Sequence, residues 1–224
     1  SLLTVGAHVA TAANDEHPKI DYTVDRFADI EILRYEVPGF EELSLQQKQL
    51  LYHLSEAALM GRDIIFDQNC RYNLAIRRAL EAIYREYRGD RGDAQFKALE
   101  TYLKRVWLAN GIHHHYGEDK FEPAGFTADY FAKCIRSLDP KHVPVRKGQT
   151  VDAWLKEITP VIFDPKVMPK RTVQSGSGDL LLASANNYYE GGVTQQEAEA
   201  FYAAMRTPND STAPSYGLNS RLCK

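Results

Sequence analysis

Three consecutive stretches between Ser44 and Gly111 repeat apolar residues at helical spacing, and each is bounded by residues that start or stop a helix. In the first, Leu50, Leu51, Leu54, Ala57 and Ala58 share one face, the pattern of an amphipathic helix. Ser44 and Gln47 have the spacing of a capping box, which satisfies backbone N–H groups that a first turn leaves unpaired. The spacing predicts a helix from Ser44 to about Ile65. A second is predicted over 73–88, with Leu80, Ile83, Tyr84 and Tyr87 inward, and the run Arg88-Gly89-Asp90-Arg91-Gly92-Asp93 breaks it. The third, over 94–109, places Phe96, Leu99, Leu103, Val106 and Trp107 on one core-facing stripe and stops at Asn110-Gly111. Short polar breaks join the three, so antiparallel packing is expected.

The flanks are more broken. Ile30, Ile32, Leu33, Tyr35 and Val37 predict one short strand ahead of a Pro38-Gly39 turn. Thr127 to Leu138 predicts a helix that buries Tyr130, Phe131, Cys134 and Ile135, closed by Asp139-Pro140. Pro144, Pro160, Pro165 and Pro169 then set the rhythm. Proline disfavours helix at the residue before it, so a short helix over Asp152 to Ile158 followed by an extended Val161-Ile162-Phe163 is expected. Gln174 to Gly178 reads as a surface loop and Leu180 to Ala185 as an apolar turn. Thr194 with Glu197 is a second capping box, opening a helix from Gln195 to Met205 ahead of a polar loop, Thr207 to Ser215. The fold class is mainly α with a few short strands.

Composition narrows the functions. The chain has 224 residues, 44% hydrophobic and 25% charged, with a net charge of −3, which suffices for a sizeable core. Its lysines and arginines are interspersed with acids, which leaves no electrostatic footprint for nucleic acid. No apolar run is long enough to span a membrane. Cys70, Cys134 and Cys223 are an odd number at wide spacing, which reads as free thiols in a reducing compartment and makes the cytoplasm the default location. Residues 1–24 form an N-terminal arm. Within it Leu2 to Ala13 is small and apolar and contains Ala10-x-Ala12, so two readings stay open: a native arm, or the remnant of a secretory signal on a periplasmic or exported protein. No boundary is identified within residues 25–224.

No local motif specifies a reaction. The chain contains no His-Glu-x-x-His. His113-His114-His115, with Tyr116 and Glu118 close by, invites a metal, but adjacent residues of a regular backbone do not converge on one ion, and anchoring of the loop is the simpler reading. Asn186-Asn187-Tyr188-Tyr189-Glu190-Gly191-Gly192 offers amides and phenols to a peptide backbone in a cleft, or is a polar turn whose tyrosines pack on the core. Arg91-Gly92-Asp93 is too short to carry an adhesion function, and Gly176-x-Gly178 lacks the rest of a dinucleotide fingerprint. Glu190, Glu197 and Glu199 sit where acids complement a helix start.

Longer stretches carry a resemblance. Phe27 to Ile30, Arg34 to Phe40, Leu54 to Asn69, Tyr102 to Trp107 and Asn110 to Tyr116 resemble the N-terminal region of bacterial dipeptidyl-peptidase III, especially the Bacteroides-type enzymes. Val161 to Pro165 and Ser184 to Tyr189 are similar to the same enzymes, while Tyr188 to Thr194 and Ser215 to Leu222 resemble the eukaryotic ones more loosely. The similarity runs from about Asp21 to Lys224. It implies a two-lobed α+β zinc exopeptidase that releases dipeptides from the N-termini of short peptides, with this chain as the N-terminal part of the lower lobe. In that family zinc is held by His-Glu-x-x-Gly-His and a further Glu, none of which this sequence contains. The resemblance therefore implies zinc in the parent enzyme, no catalytic or metal residue in this chain, the remainder of the peptidase as partner, and no activity for the segment alone. The other class the sequence admits is a non-enzymatic helical binding or scaffold domain.

Overall fold

The computed structural model describes residues 20–205. The expectations for Leu2 to Ala13, Thr207 to Ser215, Ser215 to Leu222 and Cys223 lie outside the described residues. The described chain is mainly α-helical with one two-stranded antiparallel sheet, and it divides into two compact units, one ending at Glu42 and the other beginning at Leu43. Among the described residues no helix is long and apolar enough to cross a membrane.

The first unit is a hairpin of β1 (Thr23–Phe27) and β2 (Ile30–Leu33), paired from Phe27 opposite Ile30 to Thr23 opposite Leu33, with an irregularity between Thr23 and Asp25. Ala28 takes the left-handed conformation that so short a connection needs, at φ 50°. Glu31 ties the strands by accepting from Thr23 Oγ1 at 2.7 Å and Arg26 Nη2 at 2.6 Å. The sequence predicted one strand reaching Val37. The structure has two shorter ones, because Asp25 and Arg26 mask the alternation of β1 while Tyr35 and Val37 lie past the last pairing.

The second unit starts at the predicted capping box: Ser44 Oγ accepts from Gln47 N, and Gln47 Oε1 from Ser44 N. Helix α1 (Leu45–Met60) follows, and α2 (Arg62–Asn69) begins after Gly61. The single helix predicted to about Ile65 is thus two, hinged at a glycine whose missing side chain weakens helix continuity. The inward face predicted for α1 is also corrected. No residue of α1 is buried, and Leu50, Leu51 and Leu54 are all exposed. Periodicity shows that a face is apolar without showing what covers it.

Helices α3 (Asn73–Glu86) and α4 (Ala94–Ala109) match their predicted spans and build the core with α5 (Ala128–Arg136) and α6 (Val151–Phe163). Ile76, Leu80 and Ile83 of α3 meet Phe96, Leu99, Leu103 and Val106 of α4 in a cluster that takes in Phe131 and Ile135 of α5 and Trp154, Ile158 and Ile162 of α6. Cys70 and Cys134 are free and buried. Trp107 is a correction. It lies about 100° around the helix from Val106, is 39% exposed, and donates its indole N–H to Glu81 Oε1 at 2.9 Å.

Helix α6 is longer than predicted. It runs through Pro160, and Val161 and Ile162 are helical and buried rather than extended. Proline's φ fits a helix and costs one hydrogen bond to the preceding turn; burial of Val161 and Ile162 beside Trp154, Leu155 and Ile158 outweighs that loss. Further on, Asp179 caps the short α7 (Leu180–Ala183) through Leu181 N and Leu182 N, and its other oxygen accepts Gln195 N at 2.8 Å where α8 (Gln195–Met205) begins. Thr194 and Glu197 form the predicted box at the start of α8.

The helices are locked together at Asn73. Fully buried, it donates from Nδ2 to Phe66 O at 3.0 Å and accepts Ile112 N on Oδ1 at 3.2 Å, so one amide joins the end of α2 to the exit of α4. Gly111, at φ 148°, makes room for it: a Cβ there would lie 2.2 Å from Asn73 Nδ2. Gly148 serves as a comparison, also at positive φ (79°) but with nothing within 4 Å. Gly148→Ala should cost about 1 kcal/mol of backbone strain. Gly111→Ala should cost about 3 kcal/mol, because it adds the loss of buried hydrogen bonds. Equal denaturation midpoints for the two variants would show that Asn73 is not the lock. Similarly, Leu103→Ala should cost about 2–5 kcal/mol, and Trp107→Ala distinctly less because its ring is already partly in water. A larger loss at Trp107 would contradict its marginal position.

Candidate functional site

The site rests on a ribbon of three extended segments that the sequence did not announce. Residues 112–121 fold back so that Phe121 N donates to Ile112 O and His114 N to Asp119 O. Beside them run residues 168–172, through Lys120 N to Pro169 O and Arg171 N to Glu118 O, and then residues 185–187, through Ala185 N to Lys170 O and Asn186 N to Arg171 O. Asn187 N reaches Gln68 O at 2.8 Å and joins the ribbon to the end of α2.

Charges pin this ribbon. Arg171 grips Glu118 with two nitrogens, Nε meeting Oε2 at 2.8 Å and Nη2 meeting Oε1. That hydrogen-bonded guanidinium holds the Glu118 carboxyl below the usual range, and the residue itself stands at φ 64°. Lys120 Nζ donates to the carbonyls of Val161, Asp164 and Val167, closing the C-terminal end of α6 with a cation where the helix dipole favours one. Burial lowers the Lys120 pKa even so. Met168 stands at φ 51° immediately before Pro169, a conformation disfavoured for a side-chain-bearing residue before proline.

The three histidines separate as adjacent residues must. His113 is buried, and its Nε2 lies 2.9 Å from Met168 O; since a carbonyl only accepts, Nε2 carries the proton. Its Nδ1 has no hydrogen-bond partner among the described residues. His114 Nδ1 accepts from Tyr116 N at 3.1 Å and Gly117 N at 3.0 Å, anchoring the loop, and His115 stacks on the His114 ring. Among the described residues no three His, Cys, Asp or Glu side chains come together to hold a metal ion.

The second sequence candidate does reach a cavity. About 660 Å³ opens between α7, the ribbon and the start of α3, and Asn186, Asn187, Tyr189, Glu190, Gly191 and Gly192 all line it. The amides are partly spent on the fold: Asn186 Nδ2 lies 3.3 Å from Thr172 Oγ1, and Asn187 Nδ2 lies 3.3 Å from Asp67 Oδ1. Tyr189 hydrogen-bonds Tyr202 of α8, hydroxyl to hydroxyl at 3.0 Å, and burial pushes its pKa up to about 12. Tyr188 is exposed. Arg71 and Lys166 also line it, and nothing in their spacing singles them out in the sequence.

The remaining candidates are structural. Arg91 donates to Tyr84 O and stacks over Phe96, while Asp93 caps α4. A Cβ on Gly176 or Gly178 would meet nothing within 4 Å. Glu197 belongs to its capping box, and Glu199 accepts from Gln195 Nε2. No family model matches the chain, and no curated protein matches it.

The buried imidazole makes stability depend on pH. Burial holds His113 below its ordinary value near 6.5, so the unfolded chain takes up the proton more readily than the folded one. The contribution of His113 is therefore complete above about pH 6.5 and is lost as pH falls through the lower folded value. His113→Gln keeps a donor near Met168 O but does not titrate, so its melting temperature should drop less between pH 7 and pH 5. Identical pH profiles for the two proteins would remove His113 as the cause.

Proposed function

We propose that this chain is the non-catalytic N-terminal segment of a zinc-dependent dipeptidyl-peptidase III, part of the lower lobe of an enzyme that releases dipeptides from short peptides. The observation that carries the reading is the ordered series of stretches resembling that family. Their mutual packing supports it. Residues 54–69, 102–116, 161–165 and 184–189 are far apart in sequence, yet Asn69 Nδ2 donates to Asn110 O, Asn187 N to Gln68 O, and Lys120 gathers the carbonyls of Val161 and Asp164. The similar stretches thus form one hydrogen-bonded frame. Helix α1 supports the reading from another side. Leu50, Leu51 and Leu54 make one apolar row and Leu45, Tyr52 and Leu59 another on the opposite side, and all six are exposed. Apolar rows on opposite sides suit a helix that is covered by other polypeptide, which fits a segment of a larger protein.

In this reading zinc and the water it activates are held by the family's His-Glu-x-x-Gly-His and later Glu, in a part of the parent outside this sequence. The chain contributes the frame. The test is the parent gene's reading frame past Lys224, followed by mixing this chain with the remaining product. The frame should continue into His-Glu-x-x-Gly-His, and the mixture should hydrolyse a dipeptidyl arylamide in a chelator-sensitive way while this chain alone does not. A frame that lacks the motif would overturn the proposal in favour of a non-enzymatic helical domain.

A further inference from the structure

We propose that the cavity beside Gly191 and Gly192 is a binding site for a small carboxylate carrying a short apolar chain, with Arg71 as the group that takes the carboxylate. Arg71 is placed for that role by its surroundings. Its Cζ lies 5.2 Å from the centroid of the Tyr72 ring, whose face attracts a guanidinium. On another side its Nη1 is 3.2 Å from where a Cβ on residue 191 would stand, so the glycine leaves the guanidinium its space. What Arg71 lacks is an acceptor. Among the described residues it makes no hydrogen bond and no ion pair. Glu157 lines a neighbouring cavity of about 490 Å³ that Arg71 also borders and feels the Arg71 charge, but its hydrogen bonds come from Arg146 Nη1 at 3.0 Å, Arg146 Nη2 at 2.6 Å and Gln149 Nε2 at 2.8 Å, with none from Arg71. Glu190 lines the Arg71 cavity and has an interaction of its own.

The rest of the cavity sets the ligand class. Lys166 adds a second cation to the lining, and its ammonium has no ion-pair partner among the described residues. Leu181, Leu182 and Val193 supply an apolar wall. A planar fork of donors matches the two oxygens of a carboxylate, and the wall leaves an inorganic anion's remaining oxygens unsatisfied. A volume of about 660 Å³ suits a small organic molecule. Both a peptide C-terminus and an aliphatic acid have this chemistry. The site stands independently of the peptidase reading and is tested on this chain alone.

The experiment is calorimetric titration with octanoate and with N-acetyl-leucyl-leucine, each paired with its neutral amide, and with inorganic phosphate. At least one carboxylate should bind about tenfold or more tightly than its own amide, since a charge-assisted pair is replaced by a neutral one. Whichever acid binds better identifies the source as peptide or aliphatic. Arg71→Ala should lose that preference at an unchanged melting temperature. Leu182→Asp, which replaces part of the apolar wall with a like charge, should weaken both ligands and the acid more than its amide. Equal binding of acid and amide, full carboxylate binding by Arg71→Ala, or phosphate binding as tightly as either acid would each overturn the proposal.

Discussion

The helical unit depends on one buried amide. Asn73 begins α3, yet its side chain is spent on the carbonyl of Phe66 and the N–H of Ile112, so it fixes how α2 arrives and how the chain leaves α4. Phe66 and Ile112 are both buried, and an unpaired buried group costs more than a made hydrogen bond gains. The turn at Asn110 and Gly111 is shaped around this amide, with Asn110 in the left-handed conformation and Gly111 leaving no side chain to collide with it. Asn69 Nδ2 to Asn110 O adds a second strap across the same junction.

From that junction the ribbon follows. The chain leaves Ile112 as an extended segment, residues 168–172 pair alongside it, and residues 185–187 pair with those. Regular hydrogen bonding there is short, so charged side chains finish the work: Arg171 on Glu118, and Lys120 on the carbonyls that end α6. His113 donates to the carbonyl of Met168, which stands in its disfavoured conformation. The cavity with Arg71 opens against this pinned surface, which gives its edge a fixed shape while α7 supplies the apolar wall.

Helix α1 shows the opposite condition. It has good local credentials, with a complete capping box and two apolar rows, but none of its residues is buried. Helical propensity and capping contribute locally; tertiary burial is what usually makes such a helix stable. The same distinction accounts for Trp107. It shares the apolar composition of its stripe, and only the direction of the helix face places its ring at the margin, with Glu81 satisfying the indole.

Local chemistry determined most of the helical frame. The caps at Ser44, Asp93, Thr127 and Thr194, the stop at Asn110-Gly111 and the core faces of α3, α4 and α5 follow from side chains acting on backbone groups within a few residues, and such interactions are written in order along the sequence. The site was half legible. Asn186 to Gly192 was readable as a polar, flexible run, but no motif marks Arg71 or Lys166, and only folding brings them to one cavity. Pro160 inside α6, the three-segment ribbon and the exposure of α1 were likewise settled by long-range packing. The physical reason is the range of the forces involved: capping and periodicity act over a turn or two of chain, whereas burial and the pairing of Asn73, Lys120 and Arg171 join groups tens of residues apart.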